Sequence, residues 1–217
     1  MPLLPTCPPL LIEEGLFDEI CRSLSQSGYA VLPAALPVLI SDALMCCLAT
    51  MEADGFRNAA IGRGVQSQVN TGVRRDEIAW IEAQSHTARL WLEWAERLRL
   101  HLNRHLYLGL FSFESHFARY QPGQFYQTHL DAFRGRSNRV VTLLTYLNHD
   151  WLKQHGGELL IYPDNRSESP VALGVSVASV LPALGTLVVF LSDRFPHEVL
   201  PATRPRLSVA GWFRLNE

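Results

Sequence analysis

The feature that most restricts how this chain folds is a change of period near residue 111. Upstream, apolar side chains recur every three to four positions; downstream they recur every second position. The first spacing lines one face of a helix, and the second lines one face of a strand. Residues 87–108 carry the clearest helical pattern, with Leu90, Leu92, Trp94, Leu98, Leu102 and Leu106 among the apolar positions. Residues 12–27 repeat it through Leu16, Phe17, Ile20 and Leu24, with Gly28 as a C-cap. Residues 37–52 make another helix, with Pro37 in its first turn and Gly55 closing it, and a short strand at 29–33 lies between the two. From 111 onward, strands are predicted at 111–120, 124–128, 139–147, 157–162, 171–180, 186–191 and 206–213, parted by Pro, Gly and Asn turns. Helices first and many short strands after predict a mainly β (α+β) fold. Its core is a double-stranded β-helix, or jelly roll, with the N-terminal helices packed on one outer face.

Within the alternating half, His129 and Asp131 stand two residues apart, in Tyr120-Gln-Pro-Gly-Gln-Phe-Tyr-Gln-Thr-His-Leu-Asp131. On an extended strand such residues share a face. His197, in Phe195-Pro-His-Glu-Val199, is the candidate third member from a neighbouring strand. Two imidazoles and one carboxylate leave coordination positions open, as in non-heme Fe(II) oxygenases. Arg206 follows nine residues after His197, and on a strand paired with that of His197 it would point into the same interior. A buried arginine calls for a carboxylate, and a dicarboxylate cosubstrate supplies one; Tyr146 can add a hydroxyl donor. Taken alone, Arg206 is equally a surface or ion-pair residue; beside the triad, the anion clamp is favoured. His101 and His105 have the i, i+4 spacing of a metal pair, but without a glutamate after His101 or a third ligand nearby they read as solvated polar side chains on the helix surface. His116, mid-strand among aromatics, reads as a half-buried, satisfied side chain. The 62–72 segment is a glycine-punctuated loop without the context of a phosphate-binding turn.

Composition narrows the classes that remain. At 217 residues with a net charge of −2, the chain suits one domain and offers no electrostatic case for nucleic acid. Cys7, Cys21, Cys46 and Cys47 form no Cys-x-x-Cys pair, and in an apolar helical run cysteine reads as a small buried hydrophobe. The N-terminus lacks the pattern of a signal peptide, and no apolar run approaches a membrane span. A reducing, cytoplasmic location and a monomer are the expectations.

Several segments in one order then resemble a known family, the 2-oxoglutarate/Fe(II)-dependent prolyl hydroxylases, nearest the oxygen-sensing type and its bacterial relatives. They are Tyr120-x-Pro-Gly with Tyr126-x-x-His-x-Asp131; Tyr146-Leu-Asn-x-x-Trp151 with Gly156-Gly-Glu-Leu159; Phe190-Leu-Ser-Asp with Pro196-His-Glu-Val199; and Arg206-Leu-Ser with Gly211-Trp-Phe213. The resemblance spans roughly residues 55–214. It implies a supporting region over 10–110, with a mobile substrate-covering loop near 56–76, and a catalytic jelly roll over 111–217. It implies that His129, Asp131 and His197 bind Fe(II), and that Arg206 and Tyr146 hold the distal carboxylate of 2-oxoglutarate. Tyr120 and Trp212 would line that pocket. Tyr126, Arg139, Asp76 and Trp80 would meet the substrate, with the 62–72 loop folded over it. Ala210 departs from the pattern, standing where close relatives often carry threonine. The implied reaction hydroxylates a prolyl residue of a protein, releasing succinate and CO2 from 2-oxoglutarate and O2, with ascorbate as reductant. Elongation factor Tu is the substrate linked to bacterial relatives. The alternatives are an oxygenase of free amino acids or small metabolites, a non-catalytic jelly-roll binding module, and a zinc hydrolase in a similar barrel.

Overall fold

In the computed structural model, which describes residues 11–51, 55–59, 72–132, 138–166 and 175–216, the strands form two antiparallel sheets, built mostly from the alternating half of the chain. The strands, numbered along the chain, are β1 (Tyr29–Leu32), β2 (Arg57–Asn58), β3 (Glu77–Trp80), β4 (Ser112–Tyr120), β5 (Tyr126–His129), β6 (Arg139–Tyr146), β7 (Leu159–Ile161), β8 (Ala178–Val180), β9 (Leu187–Leu191), β10 (His197–Val199) and β11 (Arg206–Arg214). The larger sheet runs β1-β9-β6-β11-β4-β3-β2, and the smaller runs β5-β10-β7-β8. Three helices, α1 (Leu11–Ser27), α2 (Val38–Thr50) and α3 (His86–Leu106), belong to the first half, as the period predicts. Among the described residues no helix is long and apolar enough to cross a membrane.

The two faces of the large sheet do different work, and strand alternation decides which residue does which. Val209 and Phe213 of β11, Val141 and Leu143 of β6, Phe117 of β4, and Leu187 and Val189 of β9 join the core shared with the helices. Their neighbours Ala118, Tyr120, Tyr146, Val188 and Phe190 pack instead against Leu159, Ile161, Val180 and Val199 of the small sheet. The space between the sheets is therefore reached by every second residue of the large sheet. Register fixes the rows: Arg206 stands opposite Tyr120, Ser208 opposite Tyr146, and Trp212 opposite Thr142.

Helix α3 braces the outer face. Trp91, Trp94, Leu98 and Leu102 recur at its buried side and are fully enclosed, each such side chain stabilising the fold by about 1.5–3 kcal/mol. Trp91 and Trp94 stack at 5.5 Å, and Phe17 of α1 meets Trp94 edge-on at 5.6 Å. The Ser85 hydroxyl accepts the Ala88 N–H at 3.0 Å and starts the helix, while Tyr107 ends it in the left-handed region at φ 53°. Asn103 then accepts the Leu110 N–H and donates to the Leu110 carbonyl, both at 2.7 Å, which steers the chain into β4.

Some boundaries differ from expectation. Pro37 is the N-cap rather than a first-turn residue; its carbonyl accepts the Ile40 and Ser41 N–H groups at 2.9 and 3.0 Å. Helix α2 ends at Thr50 on Met51, before Gly55. The β2–β3 hairpin lies where a loop and a charged run were expected. It forms the sheet edge, where outward charges mask the alternation, and Glu77 pairs with Arg119 of β4 at 2.9 Å. The predicted loop at 62–72, apart from Gly72, and residues 171–174 of the predicted strand at 171–180 lie outside the described residues.

Candidate active site

His129 ends β5 and His197 begins β10, and the antiparallel register sets them directly opposite each other. Asp131 stands two residues past His129, beyond the end of the strand, so the chain's turn rather than the pleat aims its carboxylate back at both rings. His129 Nε2 lies 3.6 Å from Asp131 Oδ1, and His197 Nε2 lies 3.7 Å from Oδ2. These gaps are too long for hydrogen bonds. They are close to the roughly 3–3.5 Å expected between adjacent ligands of one ion with bonds of about 2.0–2.2 Å.

Hydrogen bonds hold each group in the form a cation needs. His129 Nδ1–H donates to the Gln127 carbonyl at 2.8 Å, and His197 Nδ1–H donates to the Phe195 carbonyl at 3.0 Å. A carbonyl only accepts, so Nδ1 carries a proton in both rings and Nε2 is the atom turned toward Asp131. Burial, then the nearby charge of His129, lowers the His197 pKa to about 4, so its imidazole is neutral at pH 7. Burial alone would raise the Asp131 pKa; His197, His129 and the adjacent Trp212 indole outweigh it and hold the carboxyl well below its usual range. Thr142 donates to Asp131 Oδ2 at 2.8 Å and shares its hydroxyl with Ser192 at 2.9 Å. Neutral imidazoles and an ionised carboxylate are the ligand forms that bind divalent metals.

Arg206 belongs to the opposite sheet. The expectation that its strand pairs with that of His197 is corrected: β11 pairs with β4 and β6, while β10 pairs with β5 and β7. Arg206 nonetheless enters the space between the sheets, because it begins β11 on the inner face. It is 2% exposed, its guanidinium lying 5.1 Å from the Tyr120 ring and 5.0 Å from that of Tyr146. Its Nε–H donates to the Gly157 carbonyl at 2.9 Å and its Nη1 to Ser208 Oγ at 3.3 Å. Among the described residues no carboxylate pairs with it, and the buried Tyr146 hydroxyl has no hydrogen-bond partner. Between Arg206 and Trp212 the inner face of β11 carries only Ser208 and Ala210, two small side chains. A cationic end, an orphaned hydroxyl and a small-residue floor form a cradle for an anion.

Gly156 and Gly157 explain the Gly-Gly of the sequence. A Cβ on Gly157 would lie 2.9 Å from Ala202 Cβ and 3.3 Å from Arg206 Cδ, and its φ is +76°. Gly123 shares the left-handed backbone at φ +80° but has nothing within 4 Å. Gly157→Ala is therefore expected to destabilise by about 2–4 kcal/mol, against about 1–2 for Gly123→Ala, the difference being overpacking against Ala202 and the Arg206 stem. Denaturant midpoints compared between the two variants check it; equal losses would mean that the Arg206 stem simply yields.

The remaining expected residues ring this space. Tyr126 stacks on His129 with centroids 3.5 Å apart. Asp76 is buried and binds Arg74 in a two-point ion pair at 2.5 and 2.8 Å. Trp80 is half-exposed and meets His116 edge-on at 5.2 Å. Arg139 lies 3.5 Å above the Trp212 ring and pairs with Glu114 at 2.8 Å. His116 is fully rather than half buried, and burial, then Arg74, lowers its pKa to about 4. Arg74 itself was missed: its guanidinium lies 4.7 Å over the Tyr126 ring, joining Asp76 to the His129 side of the site. The Arg-x-Asp spacing of residues 74 and 76 was the available signal. Thr142, a hydroxyl in an apolar strand, gave none.

The geometry matches what comparison with known proteins finds. The profile of the 2OG-Fe(II) oxygenase superfamily matches residues 115–214. Human Egl nine homolog 1 is 31% identical over 158 residues, which are 68% of this chain and 34% of that protein, so the chain spans about a third of that relative's length. A crystal structure of a Pseudomonas putida prolyl-4-hydroxylase is 37% identical, with a TM-score of 0.78, covering 91% of this chain and 98% of that one. A Trichoplax adhaerens prolyl hydroxylase, solved with a peptide of hypoxia inducible factor, is 28% identical with a TM-score of 0.78, covering 94% and 91%.

Proposed function

The chain belongs to the 2-oxoglutarate/Fe(II)-dependent prolyl hydroxylase family, and from that premise we propose that it hydroxylates a prolyl residue of a protein. The observation that carries the proposal is the pairing of an open His129–Asp131–His197 set with a buried, carboxylate-free Arg206. His129, Asp131 and His197 would hold Fe(II). Arg206 and the Tyr146 hydroxyl would grip the distal carboxylate of 2-oxoglutarate, with Tyr120 and Trp212 as walls. With metal and cosubstrate bound, the site supplies oxidative decarboxylation of 2-oxoglutarate by O2, yielding succinate and CO2 and placing one oxygen on the prolyl ring.

The chain's own residues orient and shield. The two Nδ1–H bonds to carbonyls turn both Nε2 atoms toward the metal position, and Thr142 fixes the Asp131 carboxylate. The Tyr120 and Tyr146 rings keep water off the guanidinium, which strengthens its hold on an anion. Arg139, above Trp212, would stand at the mouth where the proline enters; Tyr126, Asp76 and Trp80 would line the approach, with Arg74 bracing Tyr126.

The family supports a protein target: its Trichoplax adhaerens member is solved with a peptide of hypoxia inducible factor. Elongation factor Tu is the first substrate to test, with the enzyme acting as a cytoplasmic monomer; the free thiols of Cys21, Cys46 and Cys47 suit a reducing compartment. The experiment is succinate release with Fe(II), ascorbate and 2-oxoglutarate, in the presence of elongation factor Tu, a cell lysate or free proline. A gain of about 16 Da on a prolyl peptide, one oxygen, supports the proposal. Turnover with free proline alone would move the enzyme to small metabolites, and absence of both turnover and cosubstrate binding would favour a binding module.

Tyr146 gives a test of the clamp that leaves the metal set alone. Tyr146→Phe removes a donor to a charged group and is expected to raise the 2-oxoglutarate requirement about tenfold or more. It also removes a hydroxyl that is buried without a partner, so the cosubstrate-free variant should unfold at a temperature no lower than the parent. A lower midpoint with unchanged 2-oxoglutarate dependence would refute that role.

A further inference from the structure

A second cluster of ligand side chains lies on the far side of the large sheet. Cys21 of α1 and His101 and His105 of α3 bring a sulfur and two ring nitrogens within 4.8 Å of one another. The third ligand that the i, i+4 histidine pair lacked along its own helix is thus supplied by the helix packed beside it. We propose that Cys21, His101 and His105 form a structural binding site for a zinc-type divalent cation, clipping α1 to α3.

Each residue is placed for the task. Cys21 faces inward at 6% exposure, so its sulfur is shielded from oxidants while the site opens outward through exposed His105. The imidazoles stack at 4.1 Å with 28° between their planes, held parallel by one helical turn. His105 Nδ1–H donates to the His101 carbonyl at 2.9 Å, which leaves Nε2 as its ligand atom. Asp18, one turn before Cys21, bonds His101 Nε2 at 2.9 Å, the carboxylate-to-imidazole contact that orients a ligating histidine. Phe17, 5.6 Å from the His101 ring, backs it with core.

A thiolate and two imidazoles, with a fourth position open to water, are a borderline-soft set that favours zinc over iron. The set differs from the oxygen-and-nitrogen set of the candidate active site. Because α1 and α3 pack on the outer face of the large sheet, a cation here would brace the helices and take no part in turnover. It would tie together two segments far apart in sequence, the arrangement in which a cross-link stabilises most.

The test uses Co2+ as probe, added to the full chain after metal removal and under a phosphine reductant. Expected is a near-ultraviolet sulfur-to-cobalt charge-transfer band that saturates by two equivalents, the His129–Asp131–His197 set taking the other cobalt. The His129–Asp131–His197 set contains no sulfur and cannot produce it, so failure here is distinct from failure of the catalytic proposal. Cys21→Ser should abolish the band. His105→Gln, at an exposed position where folding is not at stake, should weaken cobalt binding by at least about ten- to a hundredfold. Zn2+ should raise the thermal midpoint of the parent by more than that of Cys21→Ser, since the His129–Asp131–His197 set takes up Zn2+ in both. Absence of the band in the parent, its persistence in Cys21→Ser, or unchanged affinity in His105→Gln overturns the site.

Discussion

Asp131→Ala is expected to reduce succinate release to background while leaving the fold intact. The carboxylate lies between the two imidazoles, 3.6 and 3.7 Å from their Nε2 atoms, and is the only anionic member of the set. Loss of an outer partner of a metal ligand typically weakens binding ten- to a hundredfold, and loss of the anionic ligand itself should weaken it further. Asp131→Asn separates charge from shape, since it can still accept from Thr142 yet carries no charge; it should fail nearly as completely. Thr142→Val, which only loosens the carboxylate, should fall in between, with about a ten- to a hundredfold loss in iron affinity. Bound iron by equilibrium dialysis, succinate release and far-ultraviolet circular dichroism together check the series. Iron-dependent turnover in folded Asp131→Ala would remove Asp131 from the proposed metal set.

The residues of this site were legible in sequence because each needed only local chemistry to stand out. His129-x-Asp131 and His197 declare a ligand set by type, and Arg206 by its place among apolar neighbours. What brings them together was not legible, because it depends on pairing. The same-face argument from strand alternation does not apply to Asp131, which lies past the end of β5; opposition of His129 and His197 comes from the β5–β10 register. Arg206 arrives from the other sheet for a similar reason: period 2 tells which face a residue takes, but not which strand lies beside it. The jelly roll and the helical support were visible in the change of period, whereas the β2–β3 edge was not, since charges such as Arg57 and Glu77 interrupt its alternation. The Cys21 cluster shows the same limit, its members being ordinary along their own helices and meeting only through helix packing.

Arg206→Ala carries the other large effect, on the cosubstrate rather than the metal. Truncating one partner of a buried, hydrogen-bonded charge pair costs about 2–5 kcal/mol, so the 2-oxoglutarate requirement should rise on the order of thirtyfold to several thousandfold. Arg206→Lys is not a mild change here. The guanidinium meets the Gly157 carbonyl and Ser208 through separate nitrogens while lying between two tyrosine rings, and a point-charge ammonium cannot hold that geometry. The alanine variant has a second consequence that distinguishes a clamp from a structural residue. A guanidinium that is buried without a carboxylate, while the site holds no cosubstrate, destabilises the protein. Adding 2-oxoglutarate should therefore raise the thermal midpoint of the parent sharply and that of Arg206→Ala little. If cosubstrate stabilised both equally and the requirement did not change, the anion would bind elsewhere and Arg206 would be a packing residue. If it stabilised only the parent, the partner of the buried cation would be the cosubstrate itself.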